Sequence, residues 1–169
     1  MIFVTVGTQL PFDRLIRGAD TWAARHPDTQ VFAQTGVLSA QNHAPEHMDH
    51  VQTMTPDDFD DRCRNAQVIV AHAGTGSIMT AHATQTPLVI MPRLAQLGEH
   101  RNDHQRATAE RFGQRAGVYL AWEETDLPNA IDAALENPAL GPDLQPSADD
   151  SLIAAIRGVI FDTDAAGPR

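Results

Sequence analysis

Lysine is absent from this sequence: all twelve basic residues are arginine. That absence removes a P-loop lysine, a Schiff-base lysine and a lysine general base from the chemistry open to the chain. Cysteine occurs once, at Cys63, so one chain can build neither a disulfide framework nor a cysteine-based zinc site, which suits a reducing compartment. No apolar run approaches the ~18 residues that would mark a membrane span. The opening stretch Met1–Gly7 has no basic region and is too short in apolar residues for the ~7–15-residue core of a signal peptide. The expectation is therefore a soluble, cytoplasmic protein. Positive charge is scarce, with 12 basic against 22 acidic residues and a net charge of −10. A surface of that sign repels phosphate backbones, so nucleic acid is not an expected partner. Aromatic residues are few (5%), with one tyrosine against eight histidines, yet 42% of the 169 residues are hydrophobic, enough for one core and one domain.

Strand-like and helix-like patterns alternate along the chain. Ile2–Val6 is a β-branched and aromatic run that ends at Gly7, and helical spacing follows through Phe12, Leu15, Ile16 and Ala19 to about Arg25. Gln30–Gln34 reads as a weak second strand, residues 35–50 as a loop, and Val51–Met54 as a third strand. Thr55 then caps a helix that has Pro56 at its first position. Gln67–Ala71 and Pro87–Met91 read as buried strands, with a helix from about Thr75 to Thr84 between them. A loop over 93–100, a helix over about Arg101–Arg115, a strand at Gly117–Leu120 and a helix at Asp126–Glu136 complete the alternation. Residues 137–150 hold three prolines and Gly141 and read as a linker, and Leu152, Ile153, Ile156, Val159 and Ile160 give residues 151–162 an amphipathic helical pattern. Alternation of this kind predicts an α/β Rossmann-like, doubly wound parallel sheet of six strands in a single domain over 1–169. Ligands in such sheets sit outside the carboxyl ends of the strands, so the loops at 7–11, 72–77 and 92–101 are the ones to read for chemistry.

His72-Ala73-Gly74-Thr75-Gly76-Ser77 leaves a buried strand and enters a helix. Glycines allow close backbone approach, the helix N-terminus favours a phosphate, and Thr75 and Ser77 add hydroxyl donors. A tight turn with a Ser or Thr cap would have the same pattern. Met79 stands where the dinucleotide fingerprint needs its last glycine, and Ile78 and Met79 after Ser77 break a nucleophile elbow. Gly98–Gln105 places seven hydrogen-bonding side chains at a helix opening, either a solvated cap or a set of groups for sugar hydroxyls. Asn102 with Gln105, and Glu99 with Asp103, are spaced to share a face. His43, His47 and His50, or His100 with His104, have spacings a metal could use, but they lie in polar stretches with no companion cysteine, and no metal is expected.

Four blocks of the sequence together resemble a known family. Val4–Gln9 with Phe12–Leu15, Ala71–Ile78, Pro87–Arg93 and Gly98–Gln105, spread in order over about residues 1–120, resemble the glycosyltransferase family 28 C-terminal domain. The chain is similar to small bacterial exopolysaccharide-type subunits and to the catalytic subunit of the two-part dolichol-linked N-acetylglucosamine transferase. The resemblance implies the donor-binding half of a GT-B fold and metal-independent hexosyl transfer from a UDP-sugar to a lipid-linked acceptor in polysaccharide or glycan synthesis. It also implies a separate membrane-associated subunit for the acceptor half, which would hold this chain at the inner face of the membrane. A homo-oligomer is the alternative assembly for the isolated chain. No cofactor is implied beyond the UDP-sugar donor. By the same resemblance, His72, Gly74, Thr75, Gly76 and Ser77 lie by the diphosphate and donor sugar. Glu99, Asn102, Asp103 and Gln105 hold sugar and ribose hydroxyls, Gly7 and Thr8 border the cleft, and the segment near Met54 holds the uracil. Thr80 stands where larger single-chain relatives carry a ribose-gripping acid. The resemblance places the general base on the acceptor half. Within this chain His72 is the candidate, because an ordinary imidazole titrates near neutral pH. A non-catalytic nucleotide-sugar-binding module is the other reading. The lack of a Tyr-x-x-x-Lys pair speaks against an epimerase of the short-chain dehydrogenase kind.

Overall fold

The computed structural model describes residues 1–8, 10–138 and 141–142. Most of the expected linker over 137–150 and all of the expected helix over 151–162 lie outside these described residues. Six strands form one parallel sheet: β1 (Ile2–Thr5), β2 (Val31–Gln34), β3 (Asp49–Val51), β4 (Val68–His72), β5 (Leu88–Met91) and β6 (Val118–Leu120). Five helices connect or flank them: α1 (Asp13–Arg25), α2 (Pro56–Asn65), α3 (Thr75–Thr84), α4 (His104–Phe112) and α5 (Leu127–Glu136). The strand order β3-β2-β1-β4-β5-β6 reverses direction of winding between β1 and β4, which makes the sheet doubly wound.

Burial explains the order. β1, the first four residues of β4 and β5 are buried on both faces, as continuous apolar runs in parallel sheets are. Alternate residues serve opposite layers. Ile2, Val4, Val68, Val70, Val89 and Met91 pack with Leu15, Ile16 and Trp22 of α1 and Ile131 of α5. Phe3, Ile69, Ala71, Leu88 and Ile90 pack with Cys63 of α2, Ile78 of α3 and Ala109 of α4. The Trp22 indole N–H donates to Asp132 Oδ1 at 2.6 Å, joining α1 to α5. The Thr55 hydroxyl accepts the Asp58 N–H at 3.1 Å, the cap that the Thr-Pro opening predicts.

No helix joins β2 to β3. The connecting loop is instead tied to α1 by Asp20, whose buried carboxylate accepts the backbone N–H groups of Glu46 and His47 and meets the His43 ring at 3.3 Å. The third strand lies at Asp49–Val51, earlier than Val51–Met54. As an outer strand it pairs only with β2 and exposes Asp49 and His50, so apolar content points past it to Met54. Helix α4 is shorter than residues 101–115: it starts at His104, after Asp103, whose side chain accepts the Ala95 N–H (2.8 Å), and it ends at Phe112, before Gly113. Both outer strands, β3 and β6, are three residues long.

Candidate functional site

A cleft of about 680 Å³ opens at the carboxyl ends of the strands, where the loops after β1, β4 and β5 meet. Its floor begins at the end of β1. The Thr5 hydroxyl donates to Gln34 Oε1 at 2.7 Å and accepts the Gly7 N–H at 3.2 Å, which fixes the turn where Gly7 adopts φ +77°. His72, the last residue of β4, lays its ring between two glycines. A Cβ on Gly7 would come within 2.8 Å of His72 Cε1, and one on Gly74 within 2.4 Å of His72 Nε2. Both glycines therefore make room for the imidazole. The ring's Nδ1 lies 3.4 Å from Ser77 Oγ. Burial, aided by the nearby charges of Arg93, His100 and His104, lowers the His72 pKa to about 4. This corrects the reason for considering His72 as a base: at neutral pH it is an uncharged hydrogen-bonding group, and it does not titrate there.

α3 begins at the cleft without a side-chain cap. Its first helical bond runs from Ile78 N–H to Gly74 carbonyl, which leaves the N–H groups of Thr75, Gly76 and Ser77 ahead of the ladder. Thr75, Gly76 and Ser77 all line the cleft. A Cβ on Gly76 would meet nothing within 4 Å, so the space in front of this helix end is open. Backbone donors and dipole together make that space suited to an anion.

The opposite wall departs from the sequence expectation. Glu99 is bound bidentately by Arg14, Nε to Oε1 at 2.6 Å and Nη2 to Oε2 at 2.7 Å, and also accepts the Leu94 N–H at 2.9 Å. Arg14 donates further to the carbonyls of Pro92 and Trp122. Asp103 accepts from Ala95 N–H and Asn102 pairs with the His104 ring. Glu99 and Asp103 both precede α4, so they share no helical face, and their carboxylates hold two consecutive backbone amides, those of Leu94 and Ala95. As a correction, Glu99, Asn102 and Asp103 do not line the cleft; Gln105 does, together with His100, Arg101 and His104. Gln105 is 3% exposed, and its Oε1 accepts the Arg93 N–H at 3.1 Å.

Arg93 is the residue whose position the reading of single loops misses. Its side chain is nearly buried, lies over the Phe12 ring and donates to the carbonyls of Val6 (2.8 Å), Leu10 (2.6 Å), Pro11 (2.7 Å) and Glu99 (3.3 Å). Burial lowers its pKa to about 10, which leaves it charged at neutral pH. It thus ties the β1–α1 loop to the β5–α4 loop and sets a cation in the cleft wall of an acidic chain. The signal available in sequence was an arginine just past the proline that closes a buried strand. Met54, Thr55, Pro56, Phe59, Asp60 and Thr80 form the remaining side, and Asp60 is the single carboxylate lining the cleft among the described residues.

Among the described residues no group of three or more His, Cys, Asp or Glu side chains is placed to hold a metal ion. No helix among them is long and apolar enough to cross a membrane.

No curated protein matches the sequence. Among solved structures, the chain is similar to ALG13, determined by NMR, with a TM-score of 0.57 and 16% identity over 92% of this chain and 93% of that one. It is similar to the glycotransferase of kitacinnamycin (TM-score 0.56, 17% identity) and to CalG4, the calicheamicin glycosyltransferase (TM-score 0.54, 17% identity). It spans only 37% and 38% of those two chains, while they cover 94% and 98% of this one. At these identities the likeness is one of fold, the Rossmann-like half of a GT-B architecture. The family profile described as "Glycosyltransferase family 28 C-terminal domain" matches residues 1–154. The four sequence blocks, the cleft they line and this match over most of the chain agree, and the chain belongs to the glycosyltransferase family 28 C-terminal domain family.

Proposed function

We propose that this chain is the donor-binding half of a UDP-sugar-dependent glycosyltransferase and that it moves a hexosyl group without a metal ion. The observation that carries the reading is the uncapped start of α3 at the cleft, with Gly76 leaving the approach open. The diphosphate sits against the N–H groups of Thr75, Gly76 and Ser77. As the bond from anomeric carbon to phosphate oxygen breaks, charge grows on the departing UDP. The helix end, the Thr75 and Ser77 hydroxyls and the buried guanidinium of Arg93 are already oriented to offset that charge. The neutral His72 ring orients the donor by hydrogen bonding. Gly7 and Thr8 border the donor, and Gln105 with His100 and His104 faces the transferred sugar.

The acceptor half and its general base belong to a separate, membrane-associated subunit that presents a lipid-linked acceptor and keeps this chain at the inner face of the membrane. Exposed apolar side chains on the loops that rim the sheet's carboxyl ends, Leu10, Val37 and Leu97, support a partner on that side. Calorimetry with UDP and with ADP, each with and without EDTA, tests the reading. UDP is expected to bind in preference to ADP and equally well with the chelator. ADP binding as tightly, or loss of UDP binding in EDTA, overturns it.

A further inference from the structure

We propose that Gln34 selects the base of the bound nucleotide: its side-chain NH2 donates to the ring oxygen opposite the ribose, so the cleft takes uracil in preference to cytosine. The inference rests on the nucleotide-sugar reading and names a specificity residue within it. Gln34 is the last residue of β2, lines the cleft and is 4% exposed. A chain of hydrogen bonds fixes which way its amide faces. The Gly7 N–H occupies one lone pair of the Thr5 hydroxyl, and among the described residues that hydroxyl's proton has one acceptor, Gln34 Oε1. The amide oxygen is therefore turned toward Thr5, and Nε2 is turned away from it. Nε2 has no hydrogen-bond partner among the described residues, yet no side-chain nitrogen sealed from solvent among them lacks one. Its N–H groups consequently open on the cleft that Gln34 lines.

Strand order places this donor. Gln34 pairs with Thr5 of β1 on one side and with Val51 of β3 on the other, and β3 runs on to Met54. The start of α3 follows β4, which lies beyond β1. Two strand spacings, about 10 Å, thus separate Gln34 from the strand that delivers the anion site. The amide also shares a layer with apolar groups. Phe3 and Phe32 face the α2 layer, so Thr5 and Gln34, two residues further along their strands, face it too. Met54 and Phe59 pack on that layer and line the same cleft. A planar base held on Met54 and Phe59, with its diphosphate at α3, therefore occupies the end of the cleft that holds the Gln34 amide. A nearly buried donor is met only by an atom that projects to the floor. The pyrimidine oxygen beside the glycosidic bond is crowded by the ribose, whereas position 4 projects from the far edge. Uracil carries an acceptor oxygen there and cytosine an amino group, so cytosine would set donor against donor and leave both unpaired.

The test uses the full chain and calorimetry with UDP and CDP. The unmodified chain is expected to bind UDP roughly tenfold or more tightly than CDP. Gln34→Glu keeps an oxygen for the Thr5 hydroxyl and replaces the donor with an acceptor, so it should reverse the preference toward CDP. Gln34→Met removes the amide and should bring the ratio toward one, and thermal unfolding verifies that each variant folds. Two analogues read the same bond without a substitution. 4-thio-UDP, whose sulfur is a weak acceptor, should bind the unmodified chain more weakly than UDP, and 2-thio-UDP should not. A UDP-to-CDP ratio that persists in both folded variants overturns the proposal, as does weaker binding of 2-thio-UDP alone. Equal binding of UDP and CDP by the unmodified chain overturns this inference alone. No UDP binding at all overturns the nucleotide-sugar reading with it.

Discussion

His72 and its two glycines show how single residues set the chemistry of the cleft. The ring fills the space that a Cβ at Gly7 or Gly74 would occupy, so Gly74 serves His72 first and ligand access second. Gly74→Val should push the imidazole off its position, at a cost of about 1–3 kcal/mol typical of overpacking, and weaken UDP binding. The same change in a His72→Ala background should cost much less, because the clash has gone. Urea unfolding of the two single variants and the double variant reads this coupling. Simple additivity would mean that Gly74 has another role. Gly76 differs, since no side chain of the fold claims its missing Cβ. Gly76→Ala should leave stability within about 0.5 kcal/mol, as surface changes do, while lowering affinity for UDP.

At the level of elements, the segment from β5 to α4 is held by two arginines rather than by its own secondary structure. Arg14 grips Glu99 and the Pro92 carbonyl, Arg93 grips the β1–α1 loop, and the Phe12 ring lies beneath both guanidinium groups. The Arg14–Glu99 pair is only 10% and 12% exposed, so removing one charge strands the other. Glu99→Gln should destabilise the fold by on the order of 3 kcal/mol, and Arg14→Met with Glu99→Leu should recover much of that loss. Thermal unfolding beside UDP-sugar calorimetry separates this role from a direct sugar contact, which would lower affinity for the UDP-sugar and leave the melting temperature unchanged. The central strands were legible because β1, β4 and β5 are buried on both faces and read as unbroken apolar runs. β3 was misplaced because Asp49 and His50 face solvent, where hydropathy gives no signal. The 72–77 segment was legible as a glycine-rich turn from strand to helix, since a short stretch of this kind carries its geometry locally. Arg93 and Asp60 were not, because strand order alone brings Arg93 to the carbonyl of Val6, 87 residues away, and Asp60 to the same cleft. Helical spacing paired Glu99 with Asp103, but both fall before α4 begins, and spacing could not say that backbone amides would claim them.

For the molecule as a whole, two buried groups shape stability against pH. His72 has a folded pKa of about 4 against an ordinary 6.5, so between these values the unfolded chain binds a proton that the folded chain refuses. Stability should therefore be level above about pH 7 and fall as pH drops through that window, by about 2 kcal/mol at pH 5. Burial alone would raise the Asp20 carboxyl, but the N–H groups of Glu46 and His47 and the rings of His43 and His47 outweigh it and hold it below 3.8. Its contribution is present above that value and disappears at still lower pH, as the loop between β2 and β3 loses its tether. Urea midpoints at pH 7.5 and pH 5 for the unmodified chain and for His72→Gln test the first window. An equal drop in both proteins would rule out His72 as its source. The two short outer strands bear on a different hazard. Unpaired backbone at a sheet edge is a template for aggregation, and here each edge exposes a row of only three residues, one of them carrying Asp49 and His50. An incoming strand would gain few hydrogen bonds at either edge of the described sheet and, at β3, would have to bury charge, so cross-β stacking through these edges is disfavoured.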